Sequence, residues 1–213
     1  MAKYYPIFVD IQDKKCVVVG GGNVAWRKVC SLKEAGAKVT VVSPEFCPEL
    51  ETEQGVERIR QRYKKEFLED ALIVIASTDD EEVNKAIYYD AVERGQLVNV
   101  VDKPEFCSFI VPSSVIRGDL CISISTSGAS PALARTIRES LEEQFGNEYS
   151  EFTKFLSETR RKILSEIKEE SVRRDILQQI AGPDMLEVLK KEGVNEVKKQ
   201  IGGIISEKIS YDK

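Results

Sequence analysis

The residues best suited to chemistry lie in a glycine-rich segment near the amino terminus. Residues 17–25 read Val-Val-Val-Gly-Gly-Gly-Asn-Val-Ala, so a run of β-branched residues leads into three glycines and then into a helical pattern. Gly20, Gly22 and Ala25 have the Gly-x-Gly-x-x-Gly/Ala spacing of a dinucleotide site. Gly20 permits a sharp turn, Gly22 lets the backbone approach a pyrophosphate, and Ala25 keeps the helix close to the sheet. The free N–H groups at the helix N-terminus are expected to bind that pyrophosphate. A purely structural turn is the alternative.

Further candidate residues follow the other predicted strands, because ligands of a doubly wound sheet bind beyond the carboxyl ends of its strands. Strands are predicted at 38–42, 71–76 and 97–101. The polar residues at or just after their ends are Ser43, Pro44-Glu45, Thr78, Asp79, Asn99 and Asp102. Thr78 or Asp79 also fits a plain cap for the helix predicted at 79–94, and Asp102 also fits a turn before Pro104.

The second strand lacks the acidic residue that usually grips the ribose hydroxyls of NAD. It ends Val42-Ser43, so Ser43 or Glu45 is the expected substitute. No Arg or Lys follows immediately to hold a 2′-phosphate, so the sequence favours NAD over NADP.

A second loop of small residues, Ser125–Ser130, leads into another helix. Ser130 is expected to cap that helix, and Pro131 to occupy its first position. The loop suits a carboxylate or a phosphate, through Ser125, Thr126, Ser127 and Gly128. Arg135 and Arg138 are three positions apart on that helix and are either ligands of an anionic substrate or solvated surface residues.

The composition limits the chemistry that is available. The chain has 213 residues, a net charge of −5 and no histidine, so a histidine triad, histidine-bound metals and imidazole proton shuttles are excluded. Five cysteines without a Cys-x-x-Cys pair argue against a disulfide framework or a thiolate zinc site. The acidic balance disfavours nucleic acid as a partner. Without an 18-residue apolar stretch or a signal-peptide pattern, a cytoplasmic protein with no membrane contact is expected.

The element pattern predicts an α/β protein with a Rossmann-like, doubly wound parallel sheet in its first half. Two extended runs are predicted next, Phe109–Val111 and Leu120–Ile124, as part of a small α+β segment. The rest is predicted to be a charged helical domain, with a break at Gly182-Pro183. Three domains are expected: 1–112 for nucleotide binding, 113–146 as the small α+β segment and 147–213 as the C-terminal helical domain.

Several segments together resemble the precorrin-2 dehydrogenase family of siroheme biosynthesis, which includes the N-terminal half of siroheme synthase. They run in order from about residue 6 to 145 and form a specific set, whereas the C-terminal 65 residues match only in being helical. The matching segments are 6–8, 18–25, Arg27-Lys28, 34–37, 76–80, Val83-Asn84, 99–102, 108–112, 125–131 and Ala134-Arg135.

The resemblance implies that NAD⁺ oxidises precorrin-2 to sirohydrochlorin. It places the key acidic residue of the family at Asp102, as general base or as the group that orients the macrocycle. It also implies that Asn23, Val24, Pro44 and Glu45 contact NAD. Thr126 aligns with a serine of some relatives, so a modification at that serine is not carried over.

The implied substrate has eight carboxylates, so a local basic rim is needed. Arg117, Arg135, Arg138 and Lys103 are the candidates for this rim, and Asn99 is a further substrate-binding candidate. The family resemblance also implies a homodimer in which the segment after the Rossmann domain is exchanged between subunits, so 113–146 is the predicted dimerisation segment. The region 109–145 has the extended strands and the helix that such an exchange needs.

Other functions stay open at this stage. Insertion of Fe²⁺ or Co²⁺ into sirohydrochlorin is one, with Asp102 serving both reactions, although no dedicated metal cluster is visible in the sequence. A non-catalytic NAD(H)-sensing module is another. A 2-hydroxy-acid dehydrogenase is disfavoured because such enzymes typically use a catalytic histidine.

Overall fold

The computed structural model describes residues 4–211 of a chain that divides into two compact units, Met1–Val111 and Pro112–Lys213. The three domains predicted from the sequence stay a prediction. Within the second unit, Leu120 of the predicted dimerisation segment and Phe145 at its end pack against the core of the C-terminal helices.

A five-stranded parallel sheet forms the centre of the first unit, with the order β3-β2-β1-β4-β5. Its strands are short runs of mostly β-branched residues, as expected for strands that are covered on both faces. The strand order reverses direction between β1 and β4, and this switch point is where a doubly wound sheet opens a crevice for ligands. The strands are β1 (Lys15–Val19), β2 (Lys38–Val42), β3 (Val56–Ile59), β4 (Ile73–Ala76) and β5 (Leu97–Val100).

Helices cover both faces of this sheet, so it has two separate apolar layers. The helices are α1 (Asn23–Glu34), α2 (Pro48–Thr52) and α3 (Glu81–Glu93), with single 3₁₀ turns at Lys65–Leu68 and Pro104–Phe106. Val18 of β1 packs with Val29 of α1, whereas Val17 on the same strand packs with Ile87 of α3. This alternation follows from the two-residue period of a strand. The predicted doubly wound fold is confirmed.

The outer edge of β5 is covered by the segment that follows it. Ser108 donates its backbone N–H to the Val98 carbonyl and accepts the Val98 N–H with its hydroxyl, both at 2.8 Å. Asn99 donates its side-chain amide to the Phe109 carbonyl at 3.0 Å. These bonds use the edge groups of β5 and fix residues 107–109 beside it.

Two local predictions were wrong. The cap of α3 is Asp80 rather than Thr78 or Asp79, and its carboxylate accepts the N–H groups of Glu82 and Val83. The first strand of the predicted pair lies at Ser113–Arg117 rather than at Phe109–Val111. The prediction followed the apolar content of Phe109–Val111. The tight turn at Gly118-Asp119 instead sets which residues pair with the second strand, and it places Val115 opposite Ile122.

Within residues 112–211, the second unit consists of an antiparallel hairpin and five helices. Its elements are β6 (Ser113–Arg117), β7 (Leu120–Ile124), α4 (Pro131–Gln144), α5 (Glu148–Glu166), α6 (Glu170–Ile180), α7 (Pro183–Glu192) and α8 (Val194–Tyr211). The predicted cap of α4 is confirmed, since the Ser130 hydroxyl accepts the Leu133 N–H at 3.2 Å. Phe152, Ile163, Ile176, Leu189 and Ile201 form the centre of the helical core. Between residues 4 and 211, no helix has both the length and the apolar character needed to cross a membrane.

Candidate active site

The turn between β1 and α1 brings three chain segments together at the carboxyl edge of the sheet. Gly20 donates its N–H to the Val42 carbonyl at 2.9 Å, and its φ of +134° lies in the region that favours glycine. A Cβ at this position would lie 2.5 Å from the carbonyl oxygen of Ser77, which follows β4. The sharp turn predicted at Gly20 is therefore also a close approach between the ends of β1 and β4.

Gly21 has a role that the sequence spacing did not indicate. A Cβ on Gly21 would lie 1.8 Å from the carbonyl oxygen of Glu45, so the loop after β2 crosses directly over this residue. Cys47 donates its N–H to the Gly21 carbonyl at 2.7 Å and holds that loop in place. A third consecutive glycine was the available signal, and the dinucleotide pattern leaves that position unspecified.

Gly22 differs from the other two glycines because the space beside it is open. A Cβ there would meet nothing within 4 Å. Gly22 caps α1 with extended backbone (φ −89°, ψ −175°), without a side-chain cap and without an acidic residue in the first turn. The N–H groups of this turn lack partners within the helix and suit the pyrophosphate of a dinucleotide. Ala25, one turn further on, is fully buried, as close packing of α1 on the sheet requires.

The cofactor candidates next to this turn are exposed or half-buried. Asn23 and Val24 are exposed in the first turn of α1, and Pro44 and Glu45 are exposed in the loop that crosses Gly21. Ser43 is half-buried and donates its N–H to the Ile59 carbonyl at 3.1 Å. All five lie beside the open space at Gly22 or in the loop that borders the glycine turn.

Thr78 and Asp79 lie between β4 and α3, and their surroundings differ. The Thr78 hydroxyl donates to the side-chain oxygen of Asn84 at 2.8 Å, and the Asn84 amide returns a bond to the Thr78 carbonyl, also at 2.8 Å. Thr78 is therefore fixed by α3. Asp79 is exposed to solvent.

Asp102 lies in a tight turn after β5, at the same edge of the sheet as the glycines. Its φ is +59°, a left-handed conformation that Asp tolerates better than most residues. The neighbouring residues hold the turn, since Val101 donates to the Ala76 carbonyl at 2.9 Å and Lys103 to the Val100 carbonyl at 3.3 Å. The Asp102 side chain is exposed. A carboxylate on a fixed backbone at this edge is suited to proton transfer.

Lys28 is an additional charged residue that interacts with Asp102, and in the sequence it was marked only by its place in a matching segment. It lies on α1 and is half-buried. Burial, and then the charge of Arg27, lower the pKa of its amine, while the charge of Asp102 opposes this shift. The charges of Lys28 and Asp102 therefore interact, although the two residues are 74 positions apart in the sequence and belong to different parts of the fold.

Several polar groups of the small-residue loop Ser125–Ser130 form hydrogen bonds with one another. The Thr126 hydroxyl accepts the Ser130 N–H at 3.0 Å, and the Ser125 hydroxyl accepts the Ser127 N–H at 3.0 Å. Ser127 and Gly128 both have positive φ, at +52° and +86°. The loop is a compact turn with Ser125, Ser127 and Gly128 exposed.

The three candidate arginines already have partners within the second unit. Arg135 pairs with Glu139 at 2.8 Å and Arg138 with Glu142 at 2.6 Å. Arg117 donates to the Phe145 carbonyl at 3.0 Å. In the first unit, Lys103 pairs with Glu81 at 2.8 Å, and the Asn99 side-chain amide donates to the Phe109 carbonyl.

Over residues 4–211, no group of three or more His, Cys, Asp or Glu side chains is arranged to hold a metal.

Comparison with protein families assigns nearly all of the first unit and part of the second. The family described as "Putative NAD(P)-binding" matches residues 7–113, and "Sirohaem biosynthesis protein central" matches residues 117–144. The siroheme synthase of Methylobacillus flagellatus is 42% identical over 188 residues, which cover 85% of this chain and 40% of that protein. The chain belongs to the siroheme synthase and precorrin-2 dehydrogenase family.

Two other proteins are similar to this chain in sequence or in structure. The siroheme synthase of Thioalkalivibrio sulfidiphilus is 38% identical over 174 residues, or 80% of this chain and 36% of that protein. The solved structure of SirC, a precorrin-2 dehydrogenase, matches with a TM-score of 0.76 and 28% identity, over 94% of this chain and all of that one. The chain thus spans 36–40% of the length of these two siroheme synthases.

The family assignment confirms the predicted resemblance and the predicted nicotinamide dinucleotide cofactor. The open start of α1 at Gly22, which has no side-chain cap, fits that cofactor. The roles of the individual site residues stay predictions.

Gly21→Ala is expected to destabilise the first unit, because its new Cβ and the Glu45 carbonyl cannot occupy their present positions together. The expected loss is about 1–3 kcal/mol in the free energy of unfolding, measured by denaturant titration. Gly22→Ser is the matched control, since its side chain enters open space and serine is a good helix cap, so its stability should stay within about 0.5 kcal/mol. Equal stability of the two variants would contradict the crossing at Gly21.

Gly22→Asp is expected to leave the fold intact and to abolish tight NAD⁺ binding. Aspartate caps a helix well, so the melting temperature should not fall, but its carboxylate repels a pyrophosphate at the same N–H groups. Isothermal titration should show an NAD⁺ dissociation constant raised at least about 100-fold, or about 2.7 kcal/mol. Gly22→Ser adds a side chain without the charge and should weaken binding less. Unchanged affinity in Gly22→Asp would place the cofactor elsewhere.

Proposed function

We propose that this chain binds NAD⁺ at the glycine turn and oxidises precorrin-2 to sirohydrochlorin, with Asp102 as the residue that accepts the proton. One observation carries the proposal. The glycine turn follows β1 and Asp102 follows β5, so both lie at the carboxyl edge of the same parallel sheet. The chain that carries them matches a family of NAD(P)-binding proteins. The similarity to SirC, which is named a precorrin-2 dehydrogenase, supports the choice of reaction.

The reaction removes a hydride and a proton from the substrate. Bound NAD⁺ supplies the hydride acceptor. A chain without histidine must move the proton with another group, and the Asp102 carboxylate is exposed to solvent, on a turn that backbone bonds hold in place. Gly22, Asn23 and Val24 hold the cofactor through the backbone N–H groups of the helix start.

NAD is preferred over NADP because the segment after β2 is not basic. Ser43, Pro44 and Glu45 follow this strand, and the Glu45 carboxylate disfavours a nearby phosphate. Arg60 follows β3, but Glu51 pairs with it and its guanidinium lies 5.1 Å from the centre of the Phe46 ring. Arg60 is thus already engaged by protein groups.

The homodimer and the cytoplasmic location are also part of this proposal. Ile116 of β6 is 58% exposed, and Leu133 and Ile137 of α4 are 51% and 37% exposed. Leu133 and Ile137 are four residues apart and therefore share one face of α4. Exposed apolar residues of this kind support a protein interface. All five cysteines are free thiols, which fits a reducing compartment.

Asp102→Asn is the sharpest test of the proposed reaction. Asparagine tolerates the left-handed backbone at this position, so the change removes the charge with little strain, whereas Asp102→Ala adds a backbone cost. We expect both variants to lose about 100-fold or more in kcat, followed as NADH absorbance with NAD⁺ and precorrin-2. The dissociation constant for NAD⁺ should stay within about threefold of the original.

Asp70→Asn is the matched control for this change. Asp70 has a φ of +58°, close to that of Asp102, but it precedes β4 at the opposite edge of the sheet, so its variant should retain normal turnover. Near-normal turnover in Asp102→Asn would remove Asp102 from the mechanism. NAD⁺ binding without any NADH from the unmodified protein would favour the sensing function instead. Adding Co²⁺ and following the visible absorbance of the tetrapyrrole measures chelation separately.

A double substitution on α4, Leu133→Glu with Ile137→Glu, tests the proposed homodimer. Two charges on the exposed apolar face should prevent association, so light scattering should give the mass of one chain for the variant and of two for the unmodified protein. Ser165→Glu, an exposed position on α5, is the control and should keep the mass of two chains. A variant that remains dimeric would exclude this face as the interface.

A further inference from the structure

Lys28 is a cation at the proposed active site that has no direct partner among the described residues. In the described part of the chain its ammonium group forms neither a hydrogen bond nor an ion pair. The residues first predicted to bind acidic groups differ in this respect, since Arg117, Arg135, Arg138 and Lys103 all have partners within the protein. Lys28 therefore has unused capacity to donate hydrogen bonds.

Packing places the buried face of α1 near the turn at Asp102, and Lys28 lies at the border of that face. Ala25 and Val29 lie on the buried face of α1, and Val101 packs against the same apolar cluster. Lys28 lies between them in sequence, and Asp102 follows Val101 directly. The stem of Lys28 is thus half-buried at the border of this cluster, and its charge interacts with that of Asp102.

The charges around Lys28 suit an added anion. Burial and Arg27 both disfavour the ammonium form, and these effects outweigh the attraction of Asp102, so the pKa of the amine is lowered. A half-buried ammonium without a partner is costly, whereas an anion in contact with it supplies both a hydrogen-bond acceptor and an opposite charge.

We propose that Lys28 binds one acidic side chain of the substrate and thereby holds the macrocycle beside Asp102. This inference rests on the proposed function and names the substrate group that the site recognises, which is a carboxylate. The cofactor pyrophosphate is not the expected ligand, because the helix-start N–H groups at Gly22–Val24 already suit it and Lys28 lies one turn beyond Val24. Lys28 is therefore assigned to substrate specificity.

Lys28→Ala and Lys28→Arg test this assignment by steady-state kinetics. Loss of a charge-assisted hydrogen bond to the substrate should raise the KM for precorrin-2 about 10- to 100-fold, with kcat and NAD⁺ affinity changed less than about threefold. Lys28→Arg keeps the charge and should recover most of the loss. Lys38→Ala is the matched control, because Lys38 is exposed at the start of β2, at the opposite edge of the sheet. An unchanged KM in Lys28→Ala would overturn the inference.

A second measurement does not depend on turnover. Uroporphyrin, an octacarboxylate macrocycle that the enzyme cannot dehydrogenate, serves as the probe, and the rate at which an amine-reactive reagent labels Lys28 is followed by mass spectrometry. Saturating uroporphyrin should slow the labelling of Lys28 at least about fivefold and leave Lys38 unchanged, and NAD⁺ alone should not protect Lys28.

The two measurements separate the possible failures. Protection of Lys28 by uroporphyrin in a protein that produces no NADH would overturn the proposed reaction and retain the carboxylate site. NADH production with Lys28 labelled at the same rate in the presence and absence of uroporphyrin would retain the reaction and overturn the assignment of Lys28.

Discussion

The close crossing of backbone segments at the glycine turn is the constraint on which the rest of the first unit depends. Gly20 lies against the Ser77 carbonyl, and Gly21 lies against the Glu45 carbonyl. The loops after β4 and β2 are therefore both fixed relative to β1 by contacts that any side chain would block. Gly22 has open space, so the same three residues close the turn on two sides and leave the third side accessible to a ligand.

One pair of charges at this edge of the sheet interacts without a direct ion pair. Asp102, which follows β5, and Lys28, on α1, influence each other electrostatically, while many other charged residues of the described chain are paired with near neighbours, such as Lys103 with Glu81 and Arg138 with Glu142. Exposed pairs such as Lys103 with Glu81 contribute little to stability. Charged groups without such a partner are the ones that a charged ligand can use.

Much of the fold could be predicted from the sequence, because strong local patterns produce it. The second strand, Lys38–Val42, matches its predicted bounds, and Ser130 caps α4 as expected. Each error has its own local cause. Asp80 rather than its neighbours caps α3 because Thr78 is held by Asn84, and the hairpin begins at Ser113 because the turn at Gly118 sets the register.

The site was predictable only where one segment defines it. Gly20 and Gly22 are marked by their spacing, and the family pattern marks Asp102. The role of Gly21 depends on a loop that lies 24 residues away along the chain, and the environment of Lys28 depends on how β5 is placed against α1. Contacts between segments distant in sequence have no local pattern, so a single sequence does not reveal them.

The segment that covers β5 has a consequence for the sheet as a whole. β5 is the last strand on its side, and an uncovered edge of this kind can pair with a strand from another molecule. Ser108 and Phe109 already use the outward-facing groups of Val98 and Asn99. The chain that leaves the Asp102 turn thus also protects this border against intermolecular β-sheet growth and aggregation.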